Sequence, residues 1–390
     1  MKDKTFRIII GGDLLPNATN IPLFEEGDAQ QLFGKEICSL FAEADFSIVN
    51  LEGPLTDAVE QQEKVGPVLN APISTVKGIK GLGVDAIALA NNHIMDYGKK
   101  GFLDTIGCLE TARIQHVGSG KDSNSIKTHI SLTLGGERVC IYNVSETFFN
   151  IPDEHTAGVN LYDEYIVCNE LKELKQKHDY VIVIYHGGAE YLPYPTPMVR
   201  RRFHRMADCG ADFITAQHTH CIGCEEFYNG AYLLYGQGNF FFARQYTKKM
   251  TREGLVVEIC FREKEKSVEI KKHKICVTNQ DLLRYAADQS LNDFEERSSQ
   301  IDNEELICSE YERVKAADIM NKYLMAFKGN SRWNRMMLRL FPKRYKDNLL
   351  NTYTKQQILI NQTVVNQDRR QEDMRFVWNY IVKKRYLSQK

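Results

Sequence analysis

An α/β fold of two packed sheets with helices outside them follows from three features of this 390-residue chain. Residues 5 to 120 alternate strand-like and helix-like patterns, the βαβ rhythm that implies parallel pairing. Beyond residue 127 strands outnumber helices, which calls for a second sheet rather than one doubly wound sheet. Five short aliphatic runs end in metal-ligand residue types: RIIIGGD at Asp13, FSIVNLE at Glu52, AIALANNH at Asn92 and His93, VIVIYH at His186, and FITAQHTH at His218 and His220. The carboxyl ends of strands in an open α/β sheet share one crevice, so residues far apart in sequence converge there.

The elements read in order as follows. A strand covers Phe6 to Ile10, a helix Asp28 to Ala44, a strand Phe46 to Val49, a helix starts at Ser74, and a strand covers Asp85 to Ala90. THISLTL and RVCIYNV then alternate around Gly135-Gly136, a two-residue hairpin signal. A helix from Asp163 to His178 leads into VIVIY, a second helix spans Met198 to Cys209, and DFITA follows as a strand. AYLLYG, GLVVEICF and VEIKKHKI read as short antiparallel strands. Past Val277 the composition turns helical, poor in Gly and rich in Asn, Gln, Tyr and charge, dividing the chain into a domain over 1–276 and an extension over 277–390.

Hydrophobic residues at 43% and charged residues at 26% are ordinary globular usage, which excludes disordered, collagen-like and integral-membrane classes. No apolar run reaches the ~18 residues a membrane span requires. The N-terminal apolar run is only strand-length and no small-residue cleavage site follows, so no signal peptide is read there. Ten cysteines spread singly fit a reducing compartment, and a cytoplasmic location is expected. Cys221 and Cys224 form the only CxxC and read as buried thiols. GxGxxG is absent after the first strand and GGDLLPN lacks a P-loop Lys, which disfavours a nucleotide-binding fold; no nucleic-acid partner is expected.

The net charge of −1 hides a split: residues 330–390 carry 14 Lys and Arg against 4 Asp and Glu, and the remainder 36 against 47. A basic tail of this kind points to an anionic partner, whether a polymer, a membrane surface or the protein's own body. Within it, Trp333, Met336, Met337, Leu340 and Phe341 fall at helical spacing opposite Arg332, Arg335 and Arg339. That pattern suits a weak membrane-surface contact, although such stripes more often pack on their own domain.

The chemistry concentrates in two stretches. In NNHIMDYG the Asn92 amide oxygen is placed to complete a metal shell, His93 to contact the reacting group, and Asp96 to orient that imidazole. In HTH, alternate residues of an extended segment point to opposite sides, so His218 and His220 suit two ions once the loop curls around them. Carboxylate, amide and imidazole without thiol suit one or two divalent ions, Mn, Fe or Zn, and a pair of them activates water for hydrolysis.

GGDLL, VNLEGPLT, ANNHIMDYG, YHGGAEY, HTH and LLYGQGNFFF, in this order over residues 5 to 245, resemble the CapA family of capsule and poly-γ-glutamate biosynthesis proteins. The resemblance implies a four-layer αββα sandwich of the metallophosphoesterase type followed by a helical C-terminal extension. It implies Asp13 as a terminal ligand and Glu52 as a bridging one, with Asn92, His186, His218 and His220 completing the shells. His93 becomes an acid or oxyanion stabiliser. The wider superfamily carries a His two residues after the first Asp, where this chain has Leu15, so one ion is a ligand short. It also carries Asp where Glu52 stands, and Gly where Gln217 precedes HxH, a change expected to alter access to that side. Glu190 reads as a substrate contact or a backbone hydrogen-bond acceptor, Asn239 as a substrate contact or a turn residue, and Arg200, Arg201 and Arg202 as a solvated helix face. The implied function is a metal-dependent hydrolase or transferase of capsule or poly-γ-glutamate-type exopolymer synthesis, working on an anionic polymer or phosphoester among capsule-synthesis proteins. Its alternatives are a general phosphomono- or diesterase and a noncatalytic assembly factor.

Overall fold

A computed structural model describes residues 5–62, 67–122, 125–146, 158–242, 251–262, 267–314 and 332–341. The chain forms two compact units, Met1–Val314 and Lys315–Lys390. In the first, the strands are β1 (Thr5–Leu15), β2 (Phe46–Leu51), β3 (Ala86–Ala88), β4 (Gln115–Val117), β5 (Ser119–Gly120), β6 (His129–Leu134), β7 (Glu137–Ser145) and β8 (Gly158–Val159). They continue with β9 (Tyr180–His186), β10 (Phe213–Gln217), β11 (Glu225–Tyr228), β12 (Ala231–Leu234), β13 (Asn239–Phe242), β14 (Glu253–Arg262), β15 (Ser267–Val277) and β16 (Leu283–Tyr285). The larger sheet runs β16-β15-β14-β1-β2-β3-β4 with β13 beside β1, the smaller runs β11-β12-β10-β9-β7-β6, and β5 pairs with β8. β1 to β4 are mutually parallel, as are β7, β9, β10 and β12.

Period-two alternation divides each central strand between two cores. Ile8 and Ile10 of β1 and Ile182 and Ile184 of β9 meet between the sheets. Ile9 instead packs under the helices of the larger sheet, which are α1 (Ile21–Glu26), α2 (Ala29–Phe33), α3 (Lys35–Ala42), α4 (Val76–Leu82) and α5 (Gly98–Ala112). Val181, Val183 and Tyr185 pack under α6 (Glu164–Lys177) and α7 (Pro197–Asp208). The layers are therefore αββα, and each fully buried aliphatic side chain in them contributes roughly 1.5–3 kcal/mol. The expected hairpin is present, with both Gly135 and Gly136 at positive φ. The single helix expected from Asp28 to Ala44 is broken into α2 and α3 at Gly34, whose φ of 79° no helix accepts.

Two buried glutamines join the sheets. Gln237 Nε2 donates to the carbonyls of Ile10 (2.6 Å) and Leu255 (3.0 Å), and Gln217 Nε2 to the Gly11 carbonyl (3.0 Å) and Gln237 Oε1 (3.3 Å). Gln217, buried, thus ties β10 to β1. Gly12 permits this close approach, since a Cβ there would stand 2.4 Å from the Gly238 carbonyl oxygen. The register of β1 against β2 slips between Ile10 and Asp13, a bulge that re-aims the end of the strand.

Two further expectations change and one holds. Arg200 and Arg202 are not a solvated face: Arg200 pairs with Glu226 and Asp302, while Arg202 pairs with Glu146 and the Tyr185 hydroxyl and lies 4.7 Å over the Tyr162 ring. Only Arg201 is exposed. Composition divides the chain after residue 276, but the compact unit runs on to Val314. β16 pairs with β15, α8 (Asn292–Ser299) sends Phe294 into the inter-sheet core, and Ile301 and Ile307 join the core under α6 and α7. Cys221 and Cys224 are buried free thiols as expected, with burial pushing Cys224 up to about 12.

In the second unit the helix Arg332–Leu340 exposes Trp333, Met336 and Leu340, followed by exposed Phe341; the rest of the basic tail lies outside the described residues. No helix among the described residues is long and apolar enough to cross a membrane. Phe294→Ala is expected to lower the free energy of unfolding by about 3–5 kcal/mol in urea denaturation, the usual cost of emptying a buried aromatic site. A loss within experimental error would remove α8 from the core.

Candidate metal centre

The parallel strands deliver the ligand-type residues to one edge of the sandwich. The larger sheet brings Asp13 at the end of β1, Glu52 directly after β2, and Asn92 and His93 after β3. The smaller sheet brings His186, the last residue of β9, and His218 and His220 after β10. Asp13, Glu52 and His186 have 0% exposure, and His218 and His220 are nearly as buried.

Three groups of ligand atoms, each within 4.8 Å of one another, form there: Asp13, Glu52 and His220; Glu52, His186 and His218; and Glu190, His218 and His220. Glu52 stands in the first two, which is where a bridging carboxylate must be. His220 Nε2 and His186 Nε2 lie 3.6 and 4.0 Å from Glu52 Oε1, while His220 Nδ1 and His186 Nδ1 lie 3.6 and 3.8 Å from the Asp13 carboxylate. Such separations are long for hydrogen bonds, yet two donors each about 2.1 Å from one ion stand roughly 3–4 Å apart. Asn92 Oδ1 is 2.9 Å from His186 Nε2, so the amide oxygen is at the same place as the ring. The donor set therefore fits divalent ions. Leu15 is packed in the apolar core and supplies no ligand.

Neighbouring side chains hold these groups in position. Asn50 Nδ2 donates to Asp13 Oδ1 (2.8 Å), the His218 backbone N–H to Asp13 Oδ2 (3.1 Å), and Asn91 Nδ2 to Asn50 Oδ1 (3.1 Å). Asn91 Oδ1 accepts the backbone N–H groups of His93 and Ile94, fixing the turn that presents Asn92. His93 Nδ1 and Asp96 Oδ2 are 2.7 Å apart, and Asp96 also accepts the Leu69 N–H, which fixes the imidazole in orientation. Asn239 is buried, with Oδ1 2.8 Å from His220 Nδ1 and Nδ2 donating to the Thr251 carbonyl. An Nδ1 proton shared with Asn239 puts the ligand lone pair of His220 on Nε2, the nitrogen facing Glu52.

Asn50 and Asn91 escape the sequence reading. The signal for Asn50 was a lone amide in a strand whose other residues, Ser47 apart, are apolar.

The HTH segment is not extended. His218 and His220 have φ of 84° and 51°, so the chain curls and brings their ring centroids 5.9 Å apart on one site, where both join Glu190 in one ligand group and each joins Glu52 in another. The Tyr191 N–H donates to the Thr219 carbonyl, and Arg297 of α8 donates to the carbonyls of Ile222 and Gly223, holding the curled loop from two sides. Glu190 is beside it, with Oε1 3.9 Å from His218 Nε2.

Burial raises the Asp13 carboxyl above its ordinary range, an effect opposed by His220, the His218 N–H and Asn50. Burial, followed by the neighbouring rings of His218, His220 and His93, holds His186 well below an ordinary imidazole. His186 is therefore neutral at physiological pH, the form that ligates metal.

Residues 7–244, spanning all of these candidate ligands, match the family model described as bacterial capsule synthesis protein PGA_cap. The chain belongs to this family. The PGA_cap region is similar to the capsule biosynthesis protein CapA of Bacillus anthracis, 29% identical over 50% of this chain and 48% of that one. It is similar also to the PGA biosynthesis protein CapA of Bacillus subtilis, 28% identical over 63% and 65%, and to a probable polyglutamine synthesis accessory protein of Mycobacterium tuberculosis, 29% identical over 50% and 55%. The chain thus spans about half to two thirds of the length of the curated relatives it matches. A hypothetical protein from Thermus thermophilus superposes with a TM-score of 0.45 at 17% identity, covering 69% of this chain and 98% of that one, a likeness too weak to bear on function.

His186→Ala and His218→Ala are each expected to lower bound metal with the fold intact, and Asn239→Ala to weaken metal affinity about 10- to 100-fold through His220. Elemental analysis and circular dichroism of the variants check this. Unchanged metal-to-protein ratios in both histidine variants would exclude the ligand set.

Proposed function

We propose that this PGA_cap chain is a metal-dependent hydrolase or transferase with a two-metal site, serving capsule or poly-γ-glutamate-type exopolymer synthesis on an anionic polymer or phosphoester, alongside other capsule-synthesis proteins. The observation that carries the chemistry is Glu52, shared by two ligand groups drawn from two sheets. The family and the names of the relatives carry the process. Asp13, Glu52 and His220 would hold one ion, and Glu52, Asn92, His186 and His218 the other. Mn, Fe or Zn bound there would supply Lewis acidity and lower the pKa of water.

His93 is the proton-transfer residue in this reading. Asp96 accepts a hydrogen bond from His93 Nδ1–H, which makes Nε2 the nitrogen that exchanges a proton with the reacting group and keeps the ring in the orientation the transfer needs. The ten free cysteines support a reducing compartment, and with it a cytoplasmic location.

His93→Asn is expected to keep its metal and lose about 10²- to 10⁴-fold in turnover, in a screen over phosphoesters and γ-glutamyl amides. Metal lost together with turnover would make His93 a ligand. Turnover of simple phosphoesters alone would favour a general phosphoesterase, and a metal-loaded wild type that turns over nothing, a noncatalytic assembly factor.

The tail extends the reading to an anionic membrane surface. Exposed Trp333, Met336, Leu340 and Phe341 recur at helical spacing, Arg339 is exposed among them, and the surrounding segment is strongly basic. This pairing of apolar stripe and positive charge suits the headgroup region of a bilayer. A chain ending at Gly329 is expected to lose a binding to phosphatidylglycerol vesicles that the full chain shows at low salt, and that weakens as salt shortens the Debye length. Full-length protein that ignores such vesicles at low salt would end this part of the proposal.

A further inference from the structure

We infer that Glu190 is itself a ligand of the metal centre, reaching it from the solvent side and making up the donor that Leu15 withholds. The inference rests on the two-metal reading above. With Leu15 buried in the apolar core, the Asp13–Glu52–His220 group has three donors among these residues, one fewer than a four-coordinate ion takes.

The loop after β9 is shaped to bring a carboxylate there. Gly187 has no room for a side chain, since a Cβ would stand 2.7 Å from both Glu146 Oε2 and the Tyr185 ring, and Gly188 adopts φ 102°. The Gly188 N–H donates to Glu146 Oε2 (2.8 Å), anchoring the start of the loop. Tyr191, at φ 61°, donates its N–H to the Thr219 carbonyl (2.8 Å), anchoring its end to the residue between the two ligand histidines. Between these anchors Glu190 has a ligand oxygen within 4.8 Å of the ligand atoms of both His218 and His220. Its side chain is 43% exposed, so unlike Asp13 and Glu52 it keeps the rotamer freedom to close the remaining distance. A third carboxylate also suits the charge: two divalent ions facing Asp13 and Glu52 alone leave two positive charges uncompensated in a buried site.

The competing role is a substrate contact, and Glu190→Gln separates the two because it keeps the shape and removes the charge. Wild-type and Glu190→Gln proteins, stripped with chelator, are titrated with Mn²⁺ by calorimetry, and the melting temperature of each metal-free form is recorded. One Mn²⁺ site is expected to weaken by at least about 10-fold in the variant, the scale seen even when an outer partner of a ligand is lost. The metal-free melting temperatures are expected to agree. Two sites of unchanged affinity in Glu190→Gln, whatever happens to turnover, would overturn the assignment and leave the two-metal reading standing. A wild type that takes up no Mn²⁺ or Zn²⁺ would overturn both.

Discussion

Two carboxylates shut off from water set the terms for this fold. Asp13 and Glu52 both lie at 0% exposure, and removing an ion from water costs several kcal/mol unless opposite charge and hydrogen bonds replace the solvent. Around Asp13 the replacements are the His218 N–H, the Asn50 amide and the His220 ring. They come from both sheets, and they reach one place because β1, β2, β3, β9 and β10 all end there. The β1 bulge, the bare backbone of Gly12 and the Gln217–Gln237 link belong to the same arrangement, for they hold the two sheets in the register that brings six ligand-type side chains together.

The site also stores backbone strain. Six non-glycine residues among those described have left-handed backbone, and Tyr191, His218 and His220 are three of them. Each such residue costs on the order of 1–3 kcal/mol and persists only where its surroundings over-determine it. Here the surroundings are visible as hydrogen bonds: Tyr191 to Thr219, His220 to Asn239, Arg297 to Ile222 and Gly223. Rigidity at the ligands is thus assembled from contacts outside the ligand set.

That division explains what could be read in the sequence. The meeting of Asp13, Glu52, Asn92, His186, His218 and His220 at one edge was legible because chain direction and strand pattern alone put a residue at a strand's carboxyl end. The layer order was legible for the same reason, since alternation such as Ile8, Ile9 and Ile10 already distributes side chains between two faces. Asn50 and Asn91 were not, because an amide in a strand or turn carries no periodicity and acquires its role only from its partner across the sheet. The curl of HTH was a condition the site imposed on the loop and not something its local sequence showed, because the anchors that impose it, Thr219 to Tyr191 and the carbonyls of Ile222 and Gly223 to Arg297, are long-range. Arg200 and Arg202 were misread because the carboxylates that engage them, Glu226 and Glu146, come from other elements.

The clamp of Arg297 on the loop after His220 bears on how this domain could be moved between proteins. The family match ends at residue 244, yet Arg297 comes from α8, and Phe294 of that helix fills part of the space between the sheets. A chimera grafting only the matched segment onto another host would inherit every candidate metal donor without the brace that shapes their loop. The portable module is longer than the matched segment. Its natural seam is at Val314, beyond the helix that steadies the loop of candidate metal donors.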